Sequence, residues 1–161
     1  MLFAIEIAVA EYHETMPDKK MHGHHGDNTQ GYLTGKGMGA GKVAESNGYP
    51  GPLHVLELAD ELALNSDQKA QTQAIFDRMK AQAVTLGKEL VALEQQLDQQ
   101  FASKEITIEK LQPQLLKIGE YQARIRQAHV AAHIAERAVL TPEQLKRYYE
   151  LRGNHHAAHG K

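Results

Sequence analysis

The chain has 161 residues, 42% of them hydrophobic and 6% aromatic, with no tryptophan, no cysteine and a formal net charge of −2. That length suits one domain plus some additional chain, and an aliphatic, aromatic-poor composition suits a helical protein better than a large mixed fold. The small net charge gives no electrostatic basis for binding nucleic acid, and the lack of cysteine excludes disulfides, thiolate zinc sites and thiol catalysis.

No stretch is long enough to span a bilayer. Residues 1–10, Met-Leu-Phe-Ala-Ile-Glu-Ile-Ala-Val-Ala, are apolar apart from Glu6 and end in a small-residue Ala-Val-Ala cleavage pattern, but no basic stretch precedes them. Two readings stand, the remnant of a signal peptide and an ordinary N-terminal segment. Residues 11–52 read as a flexible Gly/His-rich segment. Nine of the chain's 13 glycines fall between Gly23 and Gly51, and no apolar period survives there. The run from Gly35 to Lys42 fails as a phosphate loop, because Lys36 stands where the first glycine is required and Val43 where a hydroxyl would meet magnesium.

Helical periodicity begins at Pro52 and occupies residues 53–153. Leu53 to Leu64 predicts a short amphipathic helix. Ile75, Met79, Ala83, Leu86, Leu90, Leu93, Leu97 and Phe101 then recur every three or four residues, predicting one helix from about Ser66 to Ala102, with Gly87 as a soft spot. After a break at 103–106, Thr107 caps a third helix carrying Ile108, Leu111, Leu115, Ile118 and Ile125, with a kink expected at Pro113. The short connection makes the two long helices antiparallel neighbours. A fourth helix, Pro142 to Arg152, is expected to stop at Gly153, leaving a His-rich tail, 154–161. The fold class is therefore all-α, a long antiparallel helical hairpin with short flanking helices. One apolar stripe per long helix is more than a single partner covers, which predicts a homodimer or an exposed groove for an apolar client.

Two turns carry the same signals. In Leu140-Thr141-Pro142-Glu143-Gln144, Thr141 is the cap, Pro142 the first helical residue, and Gln144 the reciprocal partner of a capping box, with Leu140 as staple. Leu64-Asn65-Ser66-Asp67-Gln68 repeats this with Asn65 as cap and Gln68 as its partner.

Eight of the 10 histidines cluster in three places, with His13 upstream of the first and His54 standing alone. His22, His24 and His25 lie in the Gly-rich segment, and His155, His156 and His159 in the tail. Between them His129 and His133, one turn apart on the third helix, point to one side, where Glu136 adds an oxygen donor. Neutral imidazole ligates zinc, copper and nickel, so these nine residues are candidate metal ligands; His129 and His133 read equally well as ordinary, partly exposed positions. Glu does not directly follow His129, which excludes a zinc-protease motif. Arg124, Arg126 and Arg137 make this arm basic, either a solvated face or a positive rim for unfolded chains. No catalytic set is present, and an enzyme is not expected.

The paired Leu-Thr/Asn-x-x-Gln turns, at this separation in an all-helical chain, resemble the repeated LTxxQ motif of the periplasmic Spy/CpxP family, over Leu53 to Arg152. The resemblance implies a periplasmic, cradle-shaped homodimer acting as an ATP-independent chaperone or as an inhibitor of an envelope sensor. It also extends to ZraP- and CnrX-like heavy-metal resistance proteins, which bind zinc, nickel or cobalt, although no Met follows His133 in the manner of the CnrX-like site. The expected function is a metal-binding heavy-metal-resistance protein that buffers or senses Zn, Cu or Ni; the alternative is a chaperone with an apolar, basic-rimmed groove.

Overall fold

The computed structural model describes residues 25–158, with side chains described for 28–153; residues 1–10, His22, His24 and His159 lie outside the described residues. The elements in order are α1 (His25–Thr34), α2 (Lys42–Glu45), α3 (Pro52–Glu57), α4 (Ser66–Ala102), α5 (Ile108–Val139) and α6 (Pro142–Ala158), with no strand among the described residues. None of these helices is long and apolar enough to cross a membrane.

Helices α4 and α5 form the expected hairpin. At 37 residues, α4 runs roughly 55 Å. Its partner is antiparallel: Gln114 Nε2 donates to the Leu93 carbonyl at 3.4 Å, and Gln68 Nε2 to the Val139 carbonyl at 3.0 Å. The predicted apolar stripes meet midway, where Leu86 and Leu90 pack with Ile118 and Ile125. Each such side chain, once buried, contributes on the order of 1.5–3 kcal/mol. At the tip, Lys104 adopts a left-handed conformation with φ of 58° and turns the chain back toward the Thr107 cap. Helix α5 continues unbroken through Pro113 instead of restarting there. Proline at that point deprives only the exposed Glu109 carbonyl, in the first turn, of its intrahelical donor.

At the open root of the hairpin the two motif turns come together. Both capping boxes form: Gln68 N–H donates to Asn65 Oδ1 at 2.8 Å and Gln144 N–H to Thr141 Oγ1 at 3.2 Å, while each glutamine Oε1 accepts from its own cap's backbone N–H. The two amides also pair with each other, Gln68 Nε2 donating to Gln144 Oε1 at 2.7 Å and Gln144 Nε2 to Gln68 Oε1 at 3.0 Å. Leu64 and Leu140, the motif leucines, share one core with Val55, Leu62 and Tyr148.

Three expectations change. The segment 25–51 is not a flexible linker over its described length: α1 lies along α4, and the chain continues over α5 through α2. The physical reason is close approach. A Cβ at Gly87 would overlap the Tyr32 carbonyl, so the soft spot in α4 is where α1 seats. The helix predicted over Leu53–Leu64 ends at Glu57, after which Ala63, at φ of 50°, turns Leu62 and Leu64 into the root core. Helix α6 does not stop at Gly153, where no left-handed turn occurs, and it runs on into Ala157 and Ala158.

Replacing Gln68 or Gln144 by alanine is expected to cost about 2 kcal/mol or more each, because carbonyls and cap donors lose their partners. The double variant should lose less than the sum by about 1–2 kcal/mol, read from urea unfolding of all four proteins. Strict additivity would mean that the two amides do not act as a unit.

Candidate functional site

Spacing of four and then three residues puts His129, His133 and Glu136 on one side of α5, as the sequence predicts. His129 and Glu136 are not partly exposed surface positions, while His133 is half-buried. His129 is 6% exposed and Glu136 fully buried. Glu136 faces α4, where Thr72 donates Oγ1–H to Glu136 Oε1 at 2.9 Å. Thr72 stands one turn before Ile75, where the apolar row of α4 begins, as a polar residue at a buried position.

The cover over this stripe comes from the glycine-rich segment. A Cβ at Gly37 would lie 3.5 Å from His129 Nδ1, one at Gly41 would overlap His133 Nε2, and one at Gly51 would lie 3.0 Å from His133 Cε1. Glycine is required at 41 and favoured at 51 because the backbone there rests on the His133 ring, whereas at 37 the contact with His129 is ordinary van der Waals packing. His133 Nδ1 is 2.8 Å from the Tyr49 carbonyl. A carbonyl can only accept, so Nδ1 carries the proton and, in the neutral ring, Nε2 keeps the lone pair.

Glu45 fastens the cover to α6. It accepts from Tyr148 Oη at 2.6 Å and from Gly51 N–H at 3.0 Å, its own carbonyl accepts from Tyr149 Oη at 3.1 Å, and Arg152 Nε lies 3.8 Å from its carboxylate. His133 Nδ1 stands 3.6 Å from the same carboxylate. Burial, reinforced by the Glu45 hydrogen bond and charge, pushes the Tyr148 hydroxyl far up, so it stays a donor. Nothing in the glycine-rich sequence marked Glu45 or Tyr49, because their partners lie far along the chain.

The electrostatics of the stripe follow from desolvation. Burial first, and the neighbouring His133 second, hold His129 below the ordinary histidine range, so it is a neutral ring. Burial raises Glu136 to about 7, only partly opposed by the Thr72 hydrogen bond. Two polar atoms of the stripe, His129 Nε2 and Glu136 Oε2, have no hydrogen-bond partner among the described residues. Among those residues no three His, Asp or Glu side chains converge as a group able to hold a metal ion. The stripe thus offers two unpaired polar atoms and a second, oriented imidazole, but not a closed coordination shell.

The remaining candidates are spread apart. His25 opens α1, and His155 and His156 lie in the last turns of α6, all three in helical backbone. Of the arginines, Arg137 donates to the Gly48 carbonyl and stacks over the Tyr49 ring at 5.0 Å, so it is engaged in holding the cover down. Arg124 is 3.6 Å from Glu120 and stacks on Tyr121, while Arg126 is exposed and has no ion-pair partner among the described residues. No family model, curated protein or solved structure matches this chain.

Glu136 has a folded-state pKa of about 7 against an ordinary value of 4.5, so the folded protein binds the extra proton between these two pH values. Its contribution is therefore fully present below the lower value and lost as pH rises to the upper one, on the order of 2–3 kcal/mol in all. Glu136→Gln should flatten that window and be the more stable form at pH 8, measured by denaturant unfolding from pH 4 to 8. An unchanged pH profile would place the titration elsewhere.

Proposed function

We propose that this chain is a periplasmic, homodimeric stress protein of the Spy/CpxP kind that binds zinc, copper or nickel through its histidines. The observation that carries the metal reading is the pair of buried, unpartnered atoms His129 Nε2 and Glu136 Oε2 on one helical face. A buried lone pair and a buried carboxylate oxygen without partners cost free energy that a cation would recover. His133 supports the same reading, since donation of Nδ1–H to a backbone carbonyl is how a protein orients an imidazole whose Nε2 binds metal. A bound metal would supply positive charge, keeping Glu136 ionised and the rings neutral. Further ligands would come from elsewhere, and His22, His24, His25, His155, His156 and His159 are the available imidazoles. The meeting of the two motif glutamines supports the family assignment, because it gives the glutamine of each turn one shared structural task.

A second reading, capture of apolar clients, is favoured by the exposed apolar face near the hairpin tip, where Ile108 is 76% and Leu116 68% exposed. Calorimetric titration of Zn²⁺, Cu²⁺ and Ni²⁺ into the full chain separates the two. His129→Ala with Glu136→Gln should weaken one stoichiometric site about tenfold or more. Replacing the six terminal histidines by serine should lower the number of sites without abolishing that one. Binding that is indifferent to the α5 changes would refute the helix-borne site, and no binding at all would refute the metal reading.

A further inference from the structure

The face of α5 that carries His133 and Arg137 continues toward the tip through Ile108, Gln112, Leu115, Gly119, Gln122 and Arg126, spaced by four and three residues in one line. The upper part of that line lies under the glycine-rich cover, with Tyr49 on His133 and Gly48 on Arg137. The lower part is bare. Ile108, Leu111, Leu115, Leu116 and Gly119 line a shallow groove there. Leu115 is 48% exposed.

Gly119 is the telling residue. It stands in the middle of a 32-residue helix, where glycine costs about 1 kcal/mol against alanine. A Cβ there would meet nothing within 4 Å, whereas one at Gly87, Gly41 or Gly51 would press on a neighbour. Among the described residues, then, nothing requires Gly119. A mid-helix glycine beside exposed leucines suits the close approach of another helix.

Resting on the dimeric part of the reading above, we infer that this row is an isologous contact with a second copy of the chain, the two α5 helices running antiparallel with Leu115 of each seated over Gly119 of the other. The register has consequences that the residues satisfy. Setting 115 against 119 also sets Gln112 against Gln122, an amide pair able to hydrogen-bond. It places Arg126 over Ile108 and beside Glu109, so each copy's unpaired cation meets the other's first-turn carboxylate. Both pairings occur twice, as two-fold symmetry demands. Leu111 and Leu116 flank the line on its two sides.

The test is sedimentation equilibrium of the full chain, joined to a cross-linking experiment. The unaltered chain should be a dimer at micromolar concentration, and Leu115→Glu should raise the dissociation constant about a hundredfold or more while helicity is unchanged. The protein has no cysteine. Chains carrying Gln112→Cys mixed with chains carrying Gln122→Cys should therefore form a disulfide-linked dimer on oxidation, and neither should do so alone. A dimer that survives Leu115→Glu, or that fails to cross-link in this pairing, overturns the proposed contact but leaves a dimeric protein. A monomer at all concentrations removes the dimeric part of the functional reading as well, and leaves its metal part to the calorimetry.

Discussion

Everything at the root of this molecule depends on one pair of side-chain amides. Each glutamine of the two motif turns has two N–H groups and an oxygen with two lone pairs, and all four capacities are used: its own cap, the opposite amide twice, and a backbone carbonyl, Val139 for Gln68 and Leu62 for Gln144. Glutamate could not replace either residue, since it would bring two acceptors together and leave one backbone carbonyl, Val139 or Leu62, without its donor. Asparagine is a methylene shorter, so one amide could not reach both its own cap and the partner turn. The pair also sets two helix N-termini side by side, an arrangement in which the dipoles repel. Asp67 and Glu143, in the first turns of α4 and α6, place negative charge where it offsets this.

From that fixed root the hairpin projects as a lever, and the two halves of α5 are treated differently. Near the root its outer face is dressed with backbone. Three glycines let the main chain lie against His129 and His133, and Arg137 and Glu45 tie that chain to α5 and α6. Near the tip the same face carries leucine, isoleucine and a glycine with no cover. A helix that covers two imidazoles with so many specific contacts and leaves three large apolar side chains exposed has two surfaces of different character. Burial holds His129 neutral and raises Glu136 to about 7 on the first. The second stays exposed, with Ile108, Leu115 and Leu116 open to solvent.

The sequence was most legible where the physics is local. Capping boxes involve residues three apart, and the apolar rows of α4 and α5 repeat with the helix period, so the boundaries at Ser66, Ala102, Ile108 and Pro142 follow from short stretches of letters. It was least legible where a residue's reason lies far away in the chain. Gly37, Gly41 and Gly51 look like linker composition because glycine carries no side chain to announce its partner, yet the partners are His129 and His133, more than eighty residues on. Gly87 misled in the same way. It weakens α4 as an isolated helix and is tolerated because the Tyr32 carbonyl occupies the space of its Cβ. The histidine pair was visible as a helical face but its burial was not, since the residues that bury it come from the segment that read as unstructured.

That segment also sets how the site can respond. Tyr49 accepts the His133 proton through its backbone carbonyl, and Arg137 stacks on its ring, so any change in the charge or ligation of His133 is felt first at Tyr49. Two residues further, Gly51 N–H shares Glu45 with Tyr148, whose side chain is completely buried in the core that holds the two motif leucines. The route from imidazole to motif is thus a continuous series of hydrogen bonds and packed side chains rather than a distance to be bridged by assertion. Continuity alone does not make a switch; a two-state element must be biased by what binds. Among the described residues the cover is the element with that construction, because it is short, glycine-rich and held by a few polar ties, from Tyr49 and Gly48 to α5 and from Glu45 to α6. Those ties are no part of the packing of Leu86 and Leu90 on Ile118 and Ile125, so their loss leaves the hairpin's own core in place.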